Sequence, residues 1–192
     1  MFASFLLLLV AVVYRIVLGV TSSAQMDGWH NFSPLAAIAL CGAIYLPRRL
    51  AIALPLVALF VSDLFLNAHY GTALLSLDIL PRYLALGGCV ALGLLVRRRP
   101  ELPRILGASV AGSLLFYVIT NTGSWLAEPA YAKTAAGWWQ ALTSGLPGYP
   151  PTLTFFRNSL LSDLFFTALF VGCMAVSRKS GAPALAKARN VA

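Results

Sequence analysis

The sequence predicts an all-α integral membrane protein, a compact bundle of six transmembrane helices, on three observations. Hydrophobic residues make up 59% of the 192 and charged residues only 10%, with a mean hydropathy of +0.81. A soluble domain is about one quarter charged. Apolar runs recur at close to the ~20 residues that a helix needs to cross a bilayer. The 14 basic residues gather in short connections and near the C-terminus, where they act as topology signals. The formal net charge of +8 therefore does not mark a nucleic-acid binder. Residues 1–177 form a single membrane domain, and 178–192 a basic, disordered cytoplasmic tail.

The first span covers about Phe2–Val20 and carries Arg15. Its apolar start has the length of a signal peptide, but it lacks a basic n-region and Arg15 breaks the run just beyond it, so it reads as retained. The second, Phe32–Leu46, is short and opens on Asn31-Phe32-Ser33-Pro34. Asn31 or Ser33 can cap it, and Pro34 suits a first helical turn, where its missing N–H is no loss. A short helix begins below the outer surface, so its N–H groups and positive dipole end point into the membrane, a setting for an anionic or carbonyl-bearing ligand. The third span, Leu50–Leu66, carries Asp63. The fourth, Arg82–Val96, is also short and contains Gly87 and Gly88. The fifth, Arg104–Leu126, holds Asn121, and the sixth, Arg157–Val176, holds Asn158 and Asp163. Ala39–Ala43 and Gly107–Ala111 supply the small-residue spacing that lets helices approach closely. Cys41, Cys89 and Cys173 fall within apolar runs and read as small buried residues rather than disulfide partners.

Basic residues give the sidedness. Arg48 and Arg49 join spans two and three; Arg97, Arg98, Arg99 and Arg104 join four and five; Arg178, Lys179, Lys187 and Arg189 lie in the tail. The other connections carry few, so both termini are placed in the cytoplasm.

That orientation gives the buried polar residues a common depth. An ionisable residue in mid-membrane costs about 2.5–3.5 kcal/mol on insertion scales. Arg15 and the aspartates of two Ser-Asp-Leu-Phe phrases, Asp63 and Asp163, incur that cost. Together with Asn121 and Asn158 they fall in the outer third of the membrane, which points to a polar site open to the outside. A purely structural reading has Arg15 neutralise one aspartate and lock helices together, which leaves the other unexplained. The repeated phrase suggests an inverted repeat, but inverted halves would mirror the aspartate depths rather than match them. Outer loops add His69 and Tyr70. The long connection Ala127–Phe156, without obvious secondary structure, reads as a lid, with Trp125 as a stacking surface before it. The ligand-binding candidates are thus Arg15, Asn31, Ser33, Asp63, His69, Tyr70, Asn121, Trp125, Asn158 and Asp163. No metal-ligand cluster, phosphate loop or cofactor motif occurs at recognised spacing, and the reading is a non-enzyme without cofactor. An intramembrane aspartyl hydrolase using Asp63 and Asp163 is the weakest alternative, since Arg15 would hold both carboxylates ionised.

Four stretches, Asn31–Ala37, Pro55–Leu66, Phe116–Trp125 and Phe155–Phe166, together resemble a family of small, uncharacterised six-span bacterial inner-membrane proteins. That family in turn is similar to the S components of energy-coupling factor (ECF) vitamin transporters. The resemblance covers spans two to six. It implies an S-component-like bundle, multi-pass in the bacterial inner (plasma) membrane, that binds a vitamin or related micronutrient in an outward-facing cavity and carries it inward. S components present an Ala-xxx-Ala surface on the first helix to a shared energising module; here Ala11 is followed at that spacing by Arg15, so partnership with that module is left open. The comparison then falls on the solitary cobalamin-transporting group, with cobalamin or a related corrinoid as the leading ligand. A membrane scaffold or assembly subunit without a ligand is the alternative function.

Overall fold

Each apolar run that the structure describes is helical. The structure, a computed structural model, describes residues 9, 12–17, 20, 32–71 and 79–189; the side chains of Tyr70 and of 178–189 lie outside that set. Residues 12–17 belong to helix α1. They are followed by α2 Leu35–Tyr45, α3 Arg48–Tyr70, α4 Ile79–Val96, α5 Leu102–Ala127, α6 Ala135–Leu142 and α7 Thr152–Arg189. There is no strand among the described residues. Among the described residues, four helices, α3, α4, α5 and α7, are long and apolar enough to cross a membrane. Large apolar side chains such as Ile52, Val57, Phe60 and Phe65 of α3 point outward, as a lipid-facing surface requires. Most of the first expected span lies outside the described residues. α7 runs without interruption through Arg189, so the stretch 178–189, expected as a disordered tail, continues the helix.

α2 departs most from the expected spans. Its 11 residues rise only about 16 Å, half of the ~30 Å hydrocarbon core. Leu35 and every residue from Ala37 to Ile44 are buried. A helix that is apolar all round belongs in the interior, and α2 sits among α3, α4, α5 and α7. Its small residues permit that crowding. Gly93 of α4 faces it so closely that a Cβ there would lie 2.4 Å from the Leu40 carbonyl oxygen and 2.6 Å from the Ala43 Cβ. Gly93→Val is therefore expected to destabilise the fold by about 1–3 kcal/mol or more, because backbone must move. Gly87→Val, with nothing within 4 Å of its Cβ position, is the control that leaves the detergent melting temperature nearly unchanged.

The C-terminus of α2 is closed from outside the helix. Arg97, just past α4, donates from Nη1 to the carbonyls of Leu46 at 2.7 Å and Ala43 at 3.3 Å, a cation against the negative end of the dipole. This bond anchors α2 at the end of the bundle that carries the arginine-rich connections. Beside α2, α5 and α7 share a polar seam. Ser109 bonds Thr167 at 3.1 Å, and Ser113 donates to Asp163 Oδ2 at 2.6 Å. Four residues separate the two contacts on each helix, which is what one helical face demands.

The long connection is a built element, not an unstructured loop. Thr134 caps α6 by accepting from the Gly137 amide at 3.2 Å. Trp138 Nε1 donates to Thr122 Oγ1 at 2.9 Å, and the Tyr117 hydroxyl donates to the Leu142 carbonyl. α6 is thereby strapped over the end of α5 far from the arginine-rich connections.

Candidate functional site

Because α2 spans only half the bundle, the space beyond its N-terminus is left to side chains. A partly open cavity of about 330 Å³ lies there. Ser33, Leu35 and Ala36 form its floor. α5 contributes Ser113, Tyr117 and Asn121, spaced at i, i+4 and i+8 on one face; α7 contributes Ser159 and Asp163; Arg15 of α1 and Arg82 of α4 complete it. The α5 lining runs from Ser113 to Ser124, about 16 Å along the axis.

Arg15 and Arg82 share one counter-ion. Asp63 Oδ1 accepts from Arg15 Nη2 at 2.9 Å and from Arg82 Nη1 at 3.4 Å. The Asp63 side chain is 4% exposed, against 15% for Arg15 and 32% for Arg82, so the carboxylate lies behind the two guanidiniums. Arg15 Nη1 also donates to Ser62 Oγ, which itself bonds the Ala58 carbonyl at 2.7 Å. Asp63 thus ties α1, α3 and α4 together without lining the cavity. Two cations on one carboxylate leave positive charge facing the cavity.

Asp163 is held differently. It is 3% exposed and lines the cavity. Its Oδ2 takes the Ser113 hydroxyl and the Ala37 backbone N–H faces the carboxyl, while Oδ1 has no partner among the described residues. No arginine lies within 4 Å of it there. The N-cap of α2 is Pro34 and carries no side-chain cap bond, and Ser33 Oγ has no partner among the described residues. Ser33, expected as a cap, therefore does not act as one; the carboxyl of Asp163, from another helix, occupies the place where a cap would sit. The alternatives for Arg15 resolve the same way: its partner is Asp63, not Asp163.

Of the sequence candidates, Arg15, Ser33, Asn121 and Asp163 line the cavity. Asn121 is pinned by its Nδ2, which donates to the Tyr117 carbonyl at 2.8 Å. Trp125 belongs to the strap: its Nε1 donates to the Ala132 carbonyl at 2.8 Å, and Lys133 Nζ lies 5.9 Å from its ring centroid. Asn158 is buried off the cavity, with Arg157 Nε and Nη2 each 3.4 Å from its Oδ1. His69 is exposed in the last turn of α3, which ends on Gly71 at φ 66°, the left-handed conformation that favours glycine. Asn31 and the Tyr70 side chain lie outside the described residues.

Sequence reasoning misses Arg82, Ser113, Tyr117 and Ser159. It sets Arg82 at the edge of the fourth span, yet the helix begins at Ile79. Pro81 in the first turn is the available signal, and it puts Arg82 inside the helix. Ser113-Tyr117-Asn121 and Ser159-Asp163 are legible as polar positions repeating every four residues.

A family of unknown function (DUF6580) matches residues 1–185, and the chain belongs to that family. No curated protein and no solved structure matches it.

Proposed function

We propose that this family member is a membrane transport protein that binds a small anionic micronutrient in the cavity above α2 and carries it inward, as a six-span, S-component-like bundle in the bacterial inner membrane with both termini cytoplasmic. The observation that carries the reading is the pair of guanidiniums, Arg15 and Arg82, sharing the single buried carboxylate of Asp63 beside an open cavity. Lipid-facing stability needs no second arginine there, since a lone arginine already neutralises Asp63. The cavity opens at the end of the bundle opposite the arginine-rich connections, which the charge rule puts outside.

A volume of about 330 Å³ is at the small end of ligand sites, which run about 300–1,000 Å³. It favours a vitamin-sized acid over a corrinoid. The arrangement suits binding rather than catalysis. A carboxyl dyad requires two carboxyls in contact sharing a proton, whereas Asp63 is committed to arginines and Asp163 to Ser113. A scaffold subunit remains the second reading, favoured by the way Asp63 ties three helices together.

A thermal-shift panel of nicotinate, biotin, pantothenate and their uncharged amides tests the reading on the detergent-solubilised full chain. A specific binder at 100 times its Kd stabilises the fold by about 2.7 kcal/mol. The expected result is that at least one acid raises the melting temperature and its amide does not. A panel without any shift favours the scaffold.

A further inference from the structure

The cavity has two poles, and its second pole is not explained by an anion. At one side Arg15 and Arg82 share one carboxylate. At the other, the Asp163 carboxyl, 3% exposed, keeps Oδ1 without a partner among the described residues. Asp63 Oδ2 is also without a hydrogen-bond partner, but its carboxylate has two arginines and does not line the cavity, whereas Asp163 lines it with no cation beside it among the described residues. An unsatisfied buried carboxyl is costly, and at the cavity wall a ligand can offset that cost. The group that satisfies it is a hydrogen-bond donor, best a cationic one, because charge-assisted bonds are about twice as strong as neutral ones. Within the described residues no ion pair joins Asp163 to Arg15 or Arg82, so the protein does not close this circuit itself. Ser113 donates to Oδ2 and the Ala37 N–H faces the carboxyl, which fixes its rotamer while Oδ1 keeps no hydrogen-bond partner among the described residues.

We infer that the ligand is a small zwitterion, with a carboxylate held by Arg15 and Arg82 and an ammonium or comparable N–H donor held by the Asp163 carboxyl at the cavity wall. This deepens the proposed function and rests on it. A plain monocarboxylate satisfies the arginines but leaves the Asp163 oxygen buried and unpaired. A simple amine does the reverse and meets two like charges at the other pole. The bipolar cavity therefore selects against both, by the penalty on the group left without a partner.

The test uses matched probes on the full chain in detergent: 4-aminobutyrate and 6-aminohexanoate, the butyrate and hexanoate of the same lengths, and the corresponding alkylamines. The expected result is that an aminocarboxylate binds at least tenfold more tightly than the acid of equal length, with no detectable binding of the amine. Asp163→Asn is expected to bring the aminocarboxylate down to the level of the acid. Because Asp163 also faces the start of α2, that variant can fail to fold; the comparison of probes on the native chain stands without it, and Ser113→Ala serves as the milder variant, expected to narrow the ratio. Equal binding of acid and aminocarboxylate overturns the zwitterion and leaves the anion cavity standing. Binding of none of the probes, at any length, overturns both.

Discussion

Asp63→Ala is expected to lose about 3–5 kcal/mol of stability, the range for removing one partner of a buried ion pair. The change strands two guanidiniums at once, and Arg15, with a side chain only 15% exposed, has little water to retreat to. Reversible unfolding in mixed micelles measures the loss. A double-mutant cycle identifies its origin: Arg15 and Asp63 are expected to couple strongly, whereas Arg15 and Asp163 are expected to couple within about 0.5 kcal/mol of zero, the additivity of independent sites. An Asp63→Ala variant as stable as the native chain, or coupling of Arg15 to Asp163 instead, would contradict the assignment.

Arg82→Gln is expected to separate binding from folding. Arg82 is the more exposed and more distant of the two arginines on Asp63, 3.4 Å against 2.9 Å, so its loss leaves the Arg15 pair in place. Stability should change by no more than about 1 kcal/mol, as for other solvent-accessible ion pairs. Affinity for a carboxylate ligand should fall about ten- to hundredfold, the equivalent of one hydrogen bond between charged groups, about 1.5–3 kcal/mol. Titration of 6-aminohexanoate followed by thermal shift reads both quantities. Unaltered affinity in the variant would remove Arg82 from the site.

Much of this can be read along the chain, because the governing signals are local. The apolar runs mark the long helices, and the two Ser-Asp-Leu-Phe phrases mark the buried aspartates: in both, Ser and Asp are buried and the phenylalanine is exposed. The partners of those aspartates are not legible. Identical phrases on α3 and α7 meet different neighbours, arginines in one case and a serine hydroxyl in the other, and only packing decides that. The same limit hides Arg82, whose place depends on where α4 starts. The strap α6 escapes sequence reading because eight residues with a single threonine cap are too few for a period to register. The consequence of a short α2 is half visible: its length implies a start within the membrane, but not that another helix brings a carboxyl to that start.

The most direct test of the anion cavity is native mass spectrometry of the protein extracted from its own membranes, compared with Arg82→Gln. The cavity reading expects the native chain to carry a small organic acid of a size suited to about 330 Å³, and the variant to have lost it while remaining folded. A native chain that is empty as isolated and takes up no carboxylate or zwitterion at millimolar concentration would contradict it, and Arg15, Arg82 and Asp63 would then be a helix lock alone.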